Sequence, residues 1–165
     1  MSQESRDLAA AVRFLRENYS FRKLILYGHS AGAIAAILYA AEDNSITKLV
    51  VTGAVGDLKE AINMEFSQDQ IKELTATGYL CYSSPGKWID GKRISKAYYD
   101  EFLSIGLLAS VKRVNAPLLI VNGENDEVIP FDKGPKLLYE AANEPKRLII
   151  IPRADHMFRS IRQDI

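Results

Sequence analysis

The chain has 165 residues, and its 21 Lys and Arg residues balance 21 Asp and Glu residues, so the formal net charge is zero. A hydrophobic fraction of 47% and a charged fraction of 25% are typical of a globular protein with a real core. The length fits one domain covering residues 1–165. Because basic residues are not in excess, the composition argues against a nucleic-acid-binding protein.

The cysteine and histidine content narrows the compartment and the chemistry. Cys81 is the only cysteine, so an intrachain disulfide is impossible, which favours the reducing cytoplasm. With two histidines and no cysteine cluster, we expect no metal and no other cofactor. Met1–Leu8 is polar and shows no signal peptide, and the longest near-apolar run, Ala31–Ala41, is shorter than the roughly 20 residues that span a bilayer. We therefore expect a cytoplasmic protein without a membrane partner.

In chain order, the hydrophobic pattern alternates between helices and short buried strands. Helices are predicted at Asp7–Tyr19, Ala31–Glu42 and Phe131–Asn143. Continuous apolar runs, typical of strands buried on both faces of a parallel sheet, lie at Lys23–Tyr27, Lys48–Thr52, Pro117–Asn122 and Arg147–Ile151. This alternation predicts an α/β fold with a mostly parallel sheet of about four strands, flanked by helices.

The segment 57–110 separates two predicted strands by far more than the dozen or so residues that a parallel crossover needs. Short helices are predicted within it at 57–65, 67–75 and 95–108. One interpretation is a crossover helix with additions that pack on the sheet. We favour a helical cap insertion over a pocket, because long insertions within compact domains are usually functional. Its aromatic residues supply the candidate pocket side chains Tyr79, Tyr82 and Trp88, chosen from composition alone.

Residues 28–32 read Gly-His-Ser-Ala-Gly, a G-x-S-x-G motif between a predicted strand and a predicted helix. Such a turn strains the serine backbone. We expect positions 28 and 32 to require small residues, here Gly28 and Gly32, so that helix and strand can approach. The turn presents the Ser30 hydroxyl at the carboxyl end of the strand. There the backbone N–H of Ala31 can bind an oxyanion. The alternative is a glycine-flanked serine that only caps the helix.

The motif in this context resembles the α/β-hydrolase superfamily, near its esterase, lipase and serine-aminopeptidase branches. The resemblance covers nearly the whole chain but corresponds to the C-terminal part of that fold. It implies Asp126 as the acid, in a G-x-x-D turn after a later strand. It implies His156 as the base, in a small-x-His sequence near the C-terminus. The order Ser30, Asp126, His156 is the order that this superfamily uses.

Reasoning from the residues alone leads to the same base and leaves the acid open. A serine nucleophile needs a base within hydrogen-bond reach, and only two histidines exist. His29 lies inside the turn and is interpreted as structural or pocket-lining, so His156 becomes the base by elimination. Asp126 follows a predicted strand near the carboxyl edge of the sheet, where ligand sites gather. Four other loop carboxylates compete with it: Glu124, Glu127, Asp132 and Asp155.

The chain differs from the superfamily ahead of the strand that carries Ser30, where only one helix is predicted. Members of the superfamily carry several strands there, together with the loop that supplies a second oxyanion donor. Without them, Lys23–Tyr27 would be an exposed apolar edge. We therefore expect a homodimer in which two such strands pair across a twofold axis, so that the partner could supply the missing donor.

These residues favour a serine hydrolase that cleaves small carboxylic esters through an acyl-enzyme intermediate. Ser30 would attack the acyl carbon, His156 would transfer the proton, and Asp126 would orient His156. Thioesterase, amidase and serine aminopeptidase activities use the same triad and stay open. The alternative from another class is a non-catalytic binding or assembly module on a truncated hydrolase fold.

Overall fold

The computed structural model describes residues 2–86 and 89–159. The strands in chain order are β1 (Ile25–His29), β2 (Lys48–Thr52), β3 (Tyr79–Cys81), β4 (Arg93–Ser95), β5 (Leu118–Gly123) and β6 (Lys146–Ile151). The helices are α1 (Gln3–Asn18), α2 (Ala31–Ala40), α3 (Leu58–Glu65), α4 (Gln68–Thr77), α5 (Lys96–Ser104), α6 (Leu107–Val111) and α7 (Pro135–Ala141). In this part of the chain, a parallel sheet has the strand order β1-β2-β5-β6.

This sheet and its helices confirm the predicted fold class. The apolar runs fill its interior: Leu49, Val51 and Ile120 are fully buried. Strand β2 has the predicted bounds, whereas β1 begins and ends two residues later than the predicted 23–27. It extends because Gly28 and His29, although not apolar, continue the register opposite Val51 and Thr52 of β2.

The helix boundaries differ from the predictions where capping residues act. Helix α1 begins before Asp7 because the Ser2 side chain accepts a hydrogen bond from the backbone of Ser5. Helix α7 begins at Pro135 rather than Phe131, since proline is favoured in the first turn of a helix. The single helix predicted at 95–108 is interrupted: Ile105 has ψ 115° and Gly106 has ψ 66°, both outside the helical range.

Residues Leu58–Ile105 form a compact unit of their own. This unit is narrower than the predicted insertion 57–110, and the residues that follow Ile105 belong to the unit that holds the parallel sheet. Its buried core consists of Ile62, Phe66, Leu74 and Leu80. It also contains an antiparallel hairpin of β3 and β4, which the sequence did not predict, because three-residue strands are too short for an alternating pattern to be seen.

Strand β1 forms one edge of the parallel sheet, and its outer side has no strand partner within residues 2–86 and 89–159. Ile25 and Tyr27, which point to the same face of the sheet, are 52% and 65% exposed. In the same described ranges, none of the helices has both the length and the hydropathy needed to cross a lipid bilayer.

Candidate active site

Ser30 is the single residue between the end of β1 and the start of α2. Its φ of 52° and ψ of −123° confirm the predicted backbone strain, which costs on the order of 1–3 kcal/mol for a residue other than glycine. Two backbone bonds hold the turn: Ser30 N–H donates to Thr52 O (2.9 Å), and Ala33 N–H donates to Ser30 O (3.0 Å). The Ser30 side chain makes no capping hydrogen bond to α2. The geometry therefore favours the nucleophile turn over a serine that only caps a helix, and Ala31 is the first residue of that helix.

The two glycines of the motif have different surroundings. A Cβ atom on Gly28 would lie 2.5 Å from Gly32 O and 2.6 Å from Ala33 Cα, both backbone atoms. A Cβ atom on Gly32 would meet nothing within 4 Å. The prediction that a small residue is needed is confirmed at Gly28, where strand and helix touch. It is wrong at Gly32, because no described residue packs against that position.

Asp126 and His156 form a buried pair. The Nδ1 atom of His156 lies 3.0 Å from Oδ1 and 2.9 Å from Oδ2 of Asp126. Oδ1 also accepts hydrogen bonds from the backbone N–H groups of Val128 (3.0 Å) and Ile129 (2.7 Å). Burial raises the pKa of Asp126, but the hydrogen bonds from His156 and Ile129 outweigh it and hold the pKa below its usual value. The carboxylate is therefore ionised at neutral pH and is held in position by the backbone.

The loops that carry Asp126 and His156 meet because β5 and β6 are neighbours in the sheet. Backbone hydrogen bonds run from Asn125 N–H to Ala154 O (2.9 Å) and from Glu124 N–H to Ile151 O (2.9 Å). A Cβ atom on Gly123 would lie 2.3 Å from Ala154 O. Glycine is thus required at the start of the G-x-x-D turn, so that the two loops can pack backbone to backbone.

The four competing carboxylates either accept hydrogen bonds from other groups or are exposed. Glu124 accepts a hydrogen bond from the backbone of Arg153 (2.9 Å), and Glu127 accepts one from the backbone of His156 (3.5 Å). Asp155 binds the backbone and side chain of Arg159 (2.8 and 3.1 Å), and Asp132 is exposed. Asp126 is the carboxylate on the imidazole of His156.

His29 lies beside His156, with 4.8 Å between the ring centroids. Its Nδ1 atom is 2.9 Å from Thr52 Oγ1. Gly53, which has φ 51°, lies against both rings, and a Cβ atom there would be 2.8 Å from His156 Cε1 and 3.2 Å from His29 Cε1. Sequence reasoning missed Thr52 and Gly53, although their position directly after the strand at 48–52 was a usable signal.

Tyr79 and Tyr82, two of the candidate pocket residues of the insertion, belong to the Leu58–Ile105 unit. The ring of Tyr82 lies 4.9 Å from that of Phe66, in the core of this unit. Tyr79 is half-exposed, with the guanidinium of Arg93 6.0 Å from its ring centroid. Trp88 lies outside the described residues. Within 2–86 and 89–159, no group of three or more His, Cys, Asp or Glu side chains is arranged to hold a metal ion.

Proteins with a similar sequence are longer than this chain. The uncharacterized protein YfhR of Salmonella typhimurium strain LT2 is 35% identical over 158 residues, which cover 92% of this chain and 47% of that protein. The YfhR protein of Escherichia coli strain K12 is 48% identical over 50 residues, 30% of this chain and 16% of that protein. The chain thus spans about half the length of the Salmonella relative, which it matches along most of its own length.

Similar solved structures have the same fold. The esterase domain of a Rhodothermus marinus protein has a TM-score of 0.70 and 23% identity, covering 94% of this chain and 61% of that one. Est1E from Butyrivibrio proteoclasticus has a TM-score of 0.77 and 20% identity, covering 96% and 63%. The sequence also matches the model of the prolyl oligopeptidase family over residues 2–165. The chain therefore belongs to the prolyl oligopeptidase family, within the α/β-hydrolase superfamily.

Proposed function

We propose that the chain carries the catalytic centre of a serine hydrolase that cleaves small carboxylic esters. The observation that carries this proposal is the buried Asp126 carboxylate on Nδ1 of His156. A carboxylate on Nδ1 fixes the proton on that nitrogen and leaves Nε2 free to accept a proton from a nucleophile. Ser30, with its strained backbone and a hydroxyl that does not cap α2, is the nucleophile of this proposal.

The reaction proceeds in two halves. Ser30 Oγ attacks the acyl carbon while His156 Nε2 takes the hydroxyl proton, and the N–H of Ala31 stabilises the oxyanion. His156 then returns the proton to the leaving alkoxide, which departs as an alcohol, so that Ser30 holds the acyl group. In the second half, His156 activates a water molecule that releases the carboxylic acid and restores Ser30.

The ester class is supported by similar solved structures, among which there is also a puromycin-hydrolyzing peptidase of Mycobacterium tuberculosis. They include an esterase domain and Est1E, which has also been solved with ferulic acid bound. The family name points to peptide bonds instead, so an amide substrate is the second candidate.

A fluorophosphonate probe tests the proposal directly. We expect the purified chain to be labelled at Ser30 and to hydrolyse a short p-nitrophenyl ester. Ser30→Ala should abolish the labelling and lower ester turnover by about 10⁶-fold, because the nucleophile and its covalent intermediate are lost. Lack of labelling in a cooperatively folded protein would support the binding or assembly module instead. Ester hydrolysis that survives Ser30→Ala would also refute the proposal.

We also propose that two copies associate through the outer edge of β1, where a partner could supply a second oxyanion donor. The proposal is supported by the outer edge of β1, which has no strand partner among the described residues and is therefore prone to pairing, and by the exposed side chains of Ile25 and Tyr27. Sedimentation at micromolar concentration should give a dimer, and Ile25→Lys should give a monomer with an unchanged fold. The matched control is Ile150→Lys, on the opposite edge strand β6, where the side chain is 37% exposed. A wild-type monomer, or equal effects of the two lysines, would contradict this interface.

A further inference from the structure

The imidazole of His156 is packed against a second imidazole that the catalytic scheme leaves without a task. The ring of His29 lies 4.8 Å from that of His156, centroid to centroid, and the two planes are tilted by 41°. His29 directly precedes Ser30, so the strand that positions the serine also positions this ring. Strand β1 thus ends directly before the nucleophile and contacts the base through the side chain of His29.

The position of the His29 ring is determined by the neighbouring strand. His29 is paired in register with Thr52 of β2, and its Nδ1 atom lies 2.9 Å from Thr52 Oγ1. The same hydroxyl lies 3.0 Å from the hydroxyl of Tyr27, two residues earlier on β1. Within the described residues, the Nε2 atom of His29 is buried and has no hydrogen-bond partner. Thr52 and packing therefore hold the ring.

The surroundings favour a neutral His29. Burial lowers its pKa, and the charge of protonated His156 lowers it further, while Asp126 and the backbone of Thr52 raise it by less. Among the described residues, Gly53 and the ring of Phe158 also lie beside the imidazole, and neither carries a charge. A neutral ring can pack closely on the imidazolium that forms on His156 during catalysis without adding a second positive charge.

We propose that His29 is a positioning residue for His156, whose packed ring holds the imidazole with Nδ1 on Asp126 and Nε2 directed toward the nucleophile. Gly53 supports the same orientation, because the backbone reaches both rings where any side chain would collide with them. The hydrogen bond to Asp126 fixes one nitrogen but leaves the ring free to tilt about that bond, and His29 limits this tilt. The expected change in kcat rests on the proposed function, whereas the expected orientation of the His156 ring does not.

Three substitutions separate the contributions of the ring. His29→Ala removes the packing, His29→Phe keeps a flat ring without ionisation, and Thr52→Val removes the hydroxyl that holds Nδ1. For the ester reaction, we expect His29→Ala to lower kcat about 10- to 100-fold with little change in KM, since misplacement of a catalytic group costs factors of this size. His29→Phe should keep most of kcat, and Thr52→Val should fall between them.

A second measurement does not depend on catalysis. Because the chain has only two histidines, His29→Ala and His29→Phe each leave His156 as the only imidazole observable by NMR. We expect the Nδ1–H proton of His156, bonded to Asp126, to be seen in the wild type and in His29→Phe. In His29→Ala it should be broadened or lost. If His29→Ala does not fold, Thr52→Val must show the weaker form of the same change.

The outcomes distinguish the two proposals. A wild type that is neither labelled by fluorophosphonate nor active on esters refutes the proposed function, while the NMR comparison still decides the role of His29. An active wild type with an unchanged Nδ1–H signal and unchanged kcat in His29→Ala overturns the positioning role. A loss of kcat that His29→Phe does not restore also overturns it, since packing would then not be the cause.

Discussion

Gly28→Ala should destabilise the fold strongly, whereas Gly32→Ala, at the other glycine of the same motif, should leave the stability unchanged or raise it. The Cβ atom added at Gly28 would lie within 2.8 Å of three backbone atoms of Gly32 and Ala33. Backbone atoms cannot rotate away as a side-chain end can, so the helix must move off the strand. Overpacking typically costs 1–3 kcal/mol even where side chains can adjust, and we expect at least about 3 kcal/mol here.

The alanine at position 32 differs because its Cβ atom enters open space in the first turns of α2. Alanine is favoured over glycine in a helix by roughly 0.5–1 kcal/mol. Urea unfolding monitored by circular dichroism measures both variants, and equal slopes would show that the midpoints can be compared. Equal destabilisation by the two alanines would contradict the difference in packing, and so would a Gly28→Ala protein as stable as the wild type.

This pair shows what a sequence motif leaves open. The pattern G-x-S-x-G predicted the turn and the strained serine, and both are present at Ser30. It treated the two glycines alike, because a pattern records residue types and not the atoms that face them. Only the placement of α2 against β1 distinguishes Gly28, in contact with backbone, from Gly32, beside open space.

The four strands of the parallel sheet could be predicted because burial on both faces leaves a continuous apolar run, which does not depend on tertiary detail. The end of β1 could not, since Gly28 and His29 join the strand through pairing with β2 rather than through hydrophobicity. The hairpin of Tyr79–Cys81 and Arg93–Ser95 was missed for a related reason. Its strands are short, and only one face of each contributes to a small local core.

The contacts among the site residues depend on the order of strands, which the chain order does not reveal. His29 ends β1 and His156 follows β6, the two outer strands of this sheet. They meet because parallel strands place their carboxyl ends at one edge of the sheet and because the loop after β6 packs over the ends of β5 and β2, where Ala154 reaches Gly123 and His156 reaches Gly53. The choice between Asp126, Glu124 and Glu127 depended on side-chain directions within one short turn. Those directions are set by backbone hydrogen bonds between two loops, which no pattern in either loop records.

Asp126→Asn should lower kcat for ester hydrolysis by about 10⁴-fold while the fold is kept, an effect of the size seen when the acid of such a triad becomes an amide. The backbone N–H groups of Val128 and Ile129 bind Oδ1 and will hold the oxygen of the new amide in the same place. The amide NH₂ then faces His156 and donates to Nδ1. This shifts the ring proton to Nε2, which can no longer accept a proton from Ser30.

Glu127→Gln and Glu124→Gln are the matched controls, because each changes a neighbouring carboxylate of the same turn to an amide. Both side chains accept from backbone N–H groups of the loop that carries His156, and a glutamine oxygen can keep those bonds. We therefore expect kcat to fall by no more than a few-fold in either control. Steady-state rates and fluorophosphonate labelling rates, measured on proteins with matched unfolding midpoints, make the comparison. A large loss in Glu127→Gln with activity kept in Asp126→Asn would assign the acid to Glu127 and contradict the role given to the hydrogen bonds between Asp126 and His156.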